Sequence, residues 1–235
     1  MNLVLLFDDD FISDRRVRLA GRRLEHVARV HRAAAGDELI VGVANAGIGR
    51  GVVASITAET VELDVTIDSD PPPPLPLTLV VALPRPKVVN RVVAACASLG
   101  VRRLFFINAW RVEKSYWSSP RLTEENLRAQ SILGLEQGRD TVLPQIELRR
   151  FFRKFVEDEL PAIAEGSRKL VAHPYEASEC PRDVRDAVTL VIGPEGGFID
   201  AEVKSLEKIG FEAVTLGARI LRTETAIAAL IGRMF

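Results

Sequence analysis

Two glycine-bearing segments near the carboxyl end hold the residue types best suited to chemistry. The first, Gly193-Pro194-Glu195-Gly196-Gly197, follows the apolar run Val188-Thr189-Leu190-Val191-Ile192. Glycines there let the backbone approach a ligand closely, while the proline stiffens the loop. A plain strand–helix turn would be served by a single glycine. The second segment runs Leu216-Gly217-Ala218-Arg219-Ile220-Leu221-Arg222-Thr223-Glu224-Thr225 and leads into the apolar Ala226-Ile227-Ala228-Ala229-Leu230-Ile231. Thr223 or Thr225 can cap the helix expected there. Capping does not require an arginine and a glutamate in the same turn, and a half-buried Arg222–Glu224 couple is expensive unless it is used or well paired. A third loop, Ala172-His173-Pro174, follows Lys169-Leu170-Val171. His173 has no nucleophile partner, so the bland reading of a satisfied ring near a turn outweighs a catalytic base.

These loops need strands beneath them. Leu77–Leu83, Val101–Ile107, Lys169–Ala172, Val188–Ile192 and Ala213–Leu216 are nearly continuous apolar runs, as expected of parallel strands covered on both faces. Helical spacing recurs in Val88, Val89, Val92, Val93, Cys96 and Leu99, with Pro86 suited to a first turn and Gly100 to a carboxyl cap. Further helices are expected over 123–137, 151–163, 200–209 (capped by Asp200 or a neighbour) and 225–235. Residues 77–235 therefore read as an α/β domain with a mostly parallel sheet, and their loops sit at strand carboxyl ends, where open sheets take ligands. The apolar ending Met234-Phe235 suggests a terminus packed inside or against a partner.

Ahead of this lies Pro71-Pro72-Pro73-Pro74-Leu75-Pro76, a stiff spacer that cannot enter a sheet ladder. Residues 1–70 differ in pattern. Glu38–Val43, Gly51–Ile56 and Val61–Ile67 are short, partly alternating runs at the spacing of a small antiparallel barrel, with a buried first strand in the apolar start Met1–Phe7 and a helix over 21–32. The glycines of 42–51 read as a hairpin loop. This segment carries eight Arg against twelve Asp and Glu, a balance of −4, which leaves +3 for the rest of a chain whose net charge is −1. Yet Arg15, Arg16, Arg18, Arg22, Arg23, Arg29 and Arg32 crowd together. Such a cluster suits bidentate contacts to nucleic-acid phosphates, and equally a solvated face laced with salt bridges.

The chain of 235 residues, 47% apolar and 27% charged, has the composition of one or two globular domains and not of a disordered chain. Cys96, Cys180 and the histidines His26, His31 and His173 lack zinc-ligand spacing, so no metal is expected. Reduced thiols, the absence of a basic leader and the lack of a membrane-length apolar run suggest a cytoplasmic protein without a membrane partner. There is no Gly-x-Gly-x-x-Gly after a strand, no phosphate-binding lysine motif and no Gly-x-Ser-x-Gly elbow, which disfavours a Rossmann dehydrogenase, a P-loop enzyme and an α/β hydrolase.

The two carboxyl-terminal motifs together resemble the SPOUT class of RNA methyltransferases and are most similar to the RsmE family, which methylates N3 of a uridine in 16S ribosomal RNA with S-adenosylmethionine. Gly21–Gly36, containing His26-Val27-x-Arg29-Val30-x-Arg32, is similar to the family's RNA-facing segment. Glu136-Gln137-Gly138-Arg139 with Pro144 resembles its Glu-Gln-x-x-Arg region, one residue shorter. The chain departs from the family at Ala94, Ala95 and Ser98, where Gln-Lys and Glu are common, and at Lys114, which stands in a Glu-Arg-Ser signature.

The resemblance implies a PUA-like β-barrel over 1–70, a linker over 71–76, and a SPOUT methyltransferase domain over 77–235 with a deep trefoil knot, acting as a homodimer on the small ribosomal subunit or its 16S rRNA. It implies that Ala172, His173, Pro174, Ile192, Gly193, Pro194, Glu195, Gly196, Gly197, Leu216, Gly217, Ile220, Leu221 and Thr223 hold the cofactor. Arg222 and Glu224 would be catalytic, with Glu195 a less favoured alternative to Glu224, and the seven clustered arginines would bind RNA. The competing readings are a non-catalytic RNA-binding protein and a SPOUT enzyme with another RNA target.

Overall fold

The computed structural model describes residues 2–175 and 177–235. The chain forms two compact units: Met1–Pro73 together with Ser131–Leu143, and Pro74–Gln130 together with Pro144–Phe235.

The first unit is built on six strands: β1 (Val4–Leu6), β2 (Phe11–Ser13), β3 (Arg16–Leu19), β4 (Glu38–Val43), β5 (Ile48–Ile56) and β6 (Val61–Ser69). Helix α1 (Gly21–Glu25), continued by a π turn over His26–His31, lies between β3 and β4. The sheet order is β1-β4-β5-β6-β3-β2, antiparallel except for the parallel pair β1–β4. The small antiparallel barrel expected from the sequence is thus a curled mixed sheet that includes β2 and β3, strands of three and four residues that are too short to stand out as runs, although Arg16-Val17-Arg18-Leu19 alternates. Gly49 and Gly51 belong to β5, and the 42–51 stretch is a hairpin whose turn is only residues 44–47. A Cβ on Gly49 would sit 1.9 Å from the Thr66 carbonyl oxygen, so this strand crossing admits no side chain. Val4, Leu6, Val17, Leu19, Val41 and Leu63 fill the core.

Residues 131–143 join this unit although their apolar spacing offers no sign of it. The Glu136 carbonyl accepts from the amides of Asn2 and Leu3 at 2.9 and 3.0 Å, and the Thr141 carbonyl from Asn45 at 2.8 Å. The Glu136 carboxylate, 1% exposed, takes both guanidinium nitrogens of Arg22 at 2.7 and 2.9 Å.

The second unit is a seven-stranded, wholly parallel sheet. Its elements run β7 (Leu77–Ala82), α2 (Pro86–Ser98), β8 (Arg103–Ile107), α3 (Glu124–Gly138, whose later residues belong to the first unit), β9 (Gln145–Arg149), α4 (Phe152–Lys154), α5 (Leu160–Ile163) after an intervening π turn, β10 (Arg168–Ala172), β11 (Ser178–Glu179), β12 (Val188–Ile192), α6 (Asp200–Lys208), β13 (Glu212–Thr215) and α7 (Thr223–Met234). All five residues of β12 are buried, and β7 and β8 bury nearly as much, as a sheet covered on both faces requires. Cys96, deep in α2, has its thiol pushed up to about 12 by burial alone, which leaves it protonated and inert.

Strand order decides everything about the site. It reads β11-β13-β10-β12-β7-β8-β9, so β12 inserts between β7 and β10, and β13 inserts between β10 and β11. Two late strands therefore slot between earlier ones. Because β12, β10 and β13 are adjacent and parallel, their carboxyl ends lie side by side at one edge of the sheet.

Candidate functional site

The loops after β10, β12 and β13 enclose a cavity of about 670 Å³. Ala172, His173 and Pro174 line it, as do Ile192, Gly193, Pro194, Glu195, Gly196 and Gly197, with Leu216, Ile220, Leu221 and Thr223 from the third loop and helix start. Gly217 does not. It forms the turn behind the wall, with φ +107, its amide donating to Thr215 Oγ1 at 3.2 Å and its carbonyl accepting from the same hydroxyl at 3.1 Å. No heavy atom stands within 4 Å of a Cβ built there, so Gly217→Ala tests backbone strain alone. It should cost about 1–2 kcal/mol and weaken the affinity of a cavity ligand several-fold by relaxing the turn, read by thermal melts and calorimetry side by side.

The 193–197 loop is shaped by close approach. The Gly197 amide donates to the Pro194 carbonyl at 2.7 Å, and Gly197 adopts φ +73. Arg111, from the turn after β8, donates a guanidinium N–H to the Gly196 carbonyl, and a Cβ on Gly196 would lie 3.0 Å from Arg111 Cδ. A Cβ on Gly193 would meet the Phe198 ring at 3.1 Å. Glu195 Oε1 accepts from the amide of Arg85, the N-cap of α2, at 3.0 Å; a carboxylate suits that positive helix end. Among the described residues, the amides of Glu195, Gly196, Ile220 and Leu221 meet no acceptor, so the cavity rim offers backbone donors to a polar ligand.

The expected couple at the start of α7 is arranged differently. The helix begins at Thr223, two residues earlier than its spacing suggests, and Arg222 is the N-cap residue, exposed. Glu224, in the first turn, pairs not with Arg222 but with Arg91 of α2, at 3.6 Å. Arg222 has no carboxylate partner among the described residues. The half-buried Arg222–Glu224 pair is therefore replaced by one cation facing outward and one carboxylate held across to a second helix. Turn geometry explains it: residues i and i+2 do not share a face at a helix start, whereas α2 packs along α7.

Asp200 does not cap α6; Ile199 occupies that position, and Glu202 one turn on does the polar work. Its buried carboxylate accepts from the amide of Ile199 at 3.0 Å and from that of Trp110 at 2.7 Å, tying the turn after β8 to the 193–199 loop. Arg111, Tyr175, Phe198 and Lys204 also line the cavity and went unnoticed in the sequence. Arg111 and Tyr175 had a usable signal, since both follow a strand at its carboxyl end.

In the first unit, five of the seven clustered arginines have carboxylate partners: Arg16 with Asp64 and Glu62, Arg18 with Glu62, Arg22 with Glu136, Arg23 with Asp10, and Arg29 with Glu25. The hydrogen bond and charge of Arg16 hold the Asp64 carboxyl below its usual range. Arg15 and Arg32 are exposed, without such a partner among the described residues. Salt bridging thus accounts for most of the cluster. Among the described residues no group of His, Cys, Asp and Glu could hold a metal ion, and no helix is long and apolar enough to cross a membrane.

Residues 71–234 match the family model of the RNA methyltransferase domain. The chain belongs to the RsmE family of RNA methyltransferases. Along 97% of its length it is 28% identical to ribosomal RNA small subunit methyltransferase E of Treponema pallidum, covering 88% of that relative. Its fold is shared by the Neisseria gonorrhoeae ribosomal RNA small subunit methyltransferase E, solved bound to S-adenosyl methionine, with TM-score 0.74 and 22% identity over 98% of this chain and 95% of that one. A Legionella pneumophila protein solved with SAM is similar at TM-score 0.73 and 23% identity, over 97% of this chain and 95% of that one.

Proposed function

We propose that this family member methylates N3 of a uridine in the 16S rRNA of the small ribosomal subunit, with S-adenosylmethionine as methyl donor. The observation that carries this reading is the convergence of three glycine- and proline-shaped loops, with unengaged amides, around one cavity in an RNA methyltransferase domain. The cavity fits the cofactor: about 670 Å³ is within the range of small-molecule sites, apolar Ile192, Leu216 and Leu230 suit an adenine, and the rim amides suit polar groups. Ala172–Pro174, Ile192–Gly197 and Leu216–Thr223 would hold it. When bound, it supplies an electrophilic methyl on a sulfonium.

The chain's own residues supply the rest. Uracil N3 must lose its proton as the new N–C bond forms, and negative charge spreads to the flanking oxygens. Arg222, at the start of α7 and without a carboxylate partner among the described residues, stabilises that charge. Glu224 keeps one carboxylate oxygen without a described partner, and this oxygen takes the proton while Arg91 holds the other. Glu195 is less suited, because its carboxylate already serves α2. The reacting base arrives flipped or single-stranded. Arg15 and Arg32, with the paired arginines Arg16, Arg18, Arg22, Arg23 and Arg29 exchanging partners, contact RNA phosphates. The interleaved strand order supports a trefoil knot, the curled sheet a PUA-like domain, and exposed Ile220 and Leu221 a homodimer, in the cytoplasm.

Calorimetry should show S-adenosylmethionine binding, and mass spectrometry of 16S rRNA from cells lacking the protein should show one unmethylated uridine, restored by the gene. Absence of heat would point to a non-catalytic RNA-binding protein; a missing methyl on another base would point to a different target.

A further inference from the structure

The cavity wall continues into a surface of a different character. Strands β8 and β9 pair in parallel register through Ile107 and Arg149, and the amide of Asn108 donates to the Arg149 carbonyl at 2.9 Å. Their chains leave the sheet together at its ligand-binding edge. Each then presents a bare aromatic ring: Trp110 is 78% exposed and Phe151 73%. Both are anchored. Trp110 sits between buried Ala109 and a turn closed by the Val112 amide on the Ala109 carbonyl, with its own amide held by Glu202. Phe151 precedes Phe152, whose ring packs on Phe198 at 6.0 Å.

A guanidinium adjoins each ring in sequence. Arg111 is fastened to the Gly196 carbonyl and lines the cavity. Arg150 donates to the Trp117 carbonyl at 3.2 Å and lies 5.6 Å over the Trp117 ring. Neither has a carboxylate partner among the described residues. Glu113 accepts from the Tyr116 hydroxyl, Glu202 is buried, and Glu157 pairs with Arg153, while Asp200 and Glu207 share the cavity lining with Arg111. Isolated exposed aromatics are commonplace. Two exposed rings on anchored backbone, each beside a planar cation in sequence and one of those cations lining the cavity, offer the chemistry of single-stranded RNA recognition, in which bases stack and phosphates meet arginine.

We infer that Trp110 and Phe151, with Arg111 and Arg150, form a stacking site for a single-stranded RNA nucleotide flanking the base that enters the cavity. The inference rests on the proposed function, which provides the reacting base. Stacking outside the cavity would set which neighbouring nucleotide accompanies the target and hold the strand while the base reaches in.

The test uses the full chain and a short uridine-rich RNA oligonucleotide. With only two tryptophans, Trp110 and the partly buried Trp117, RNA should quench the intrinsic fluorescence. Trp110→Ala should abolish most of that quenching and weaken RNA binding about tenfold, while Trp110→Phe restores most of the affinity. Arg150→Gln should flatten the salt dependence of binding. S-adenosylmethionine affinity, measured by calorimetry on Trp110→Ala, should match the wild type. Unchanged RNA affinity in Trp110→Ala overturns the inference, and a simultaneous change in sedimentation would identify the ring as a subunit contact instead. If wild-type protein binds RNA with quenching but transfers no methyl group, the functional reading falls and the stacking site stands.

Discussion

Arg222→Ala is expected to lower the rate of methyl transfer by about 10²–10³-fold, while S-adenosylmethionine affinity changes by less than about twofold. The asymmetry follows from position. Leu221 and Thr223 line the cavity, but Arg222 between them does not, and its side chain is exposed with no carboxylate partner among the described residues. A group that meets only the developing charge on the uracil should act on the transition state and spare the ground state, so kcat falls and the cofactor Kd holds. Methyl incorporation into rRNA under single-turnover conditions, with calorimetry on the same preparation, separates the two. A variant that keeps its rate removes Arg222 from the mechanism; one that loses cofactor binding makes it a structural cap.

The second large effect is on stability. Glu202→Ala should cost about 3–4 kcal/mol, seen as a lower urea midpoint at an unchanged denaturant slope. This carboxylate is 6% exposed and accepts from two backbone amides in different segments, Ile199 and Trp110. Deleting it leaves both donors without an acceptor and unfastens the Arg111 turn from the cavity loop. Glu202→Gln, which keeps one carbonyl oxygen, should lose roughly half as much. Equal stability of wild type and Glu202→Ala would mean that water replaces the carboxylate at both amides.

These expectations draw on different sources. The cavity loops were legible in the sequence because their signal is local. Glycine and proline restrict or free the backbone wherever they stand, and a buried parallel strand must be apolar on both faces, so Val188–Ile192 followed by Gly193–Gly197 declares itself without reference to anything distant. Strands β2, β3 and β9, the parallel pairing of β1 with β4 and the excursion of 131–143 were not legible, since strands of three to five residues take their conformation from partners far along the chain. Glu136 illustrates this: nothing around it in sequence indicates that a buried carboxylate there would be matched by Arg22.

The partners of the charged residues were also beyond the sequence. Spacing placed Arg222 and Glu224 in one turn, but only the packing of α2 against α7 assigns Glu224 to Arg91. Likewise the seven clustered arginines read equally well as a phosphate clamp or a salt-bridged face, and Glu62, Asp64, Asp10, Glu136 and Glu25 answer for five of them only once the sheet is formed. Backbone preference belongs to a residue and its neighbours and so is written in the sequence. The state of a charge depends on what lies within a few ångströms in space, which the pairing of β3 with β6 decides for Arg16 and Arg18 and the packing of α2 against α7 decides for Glu224.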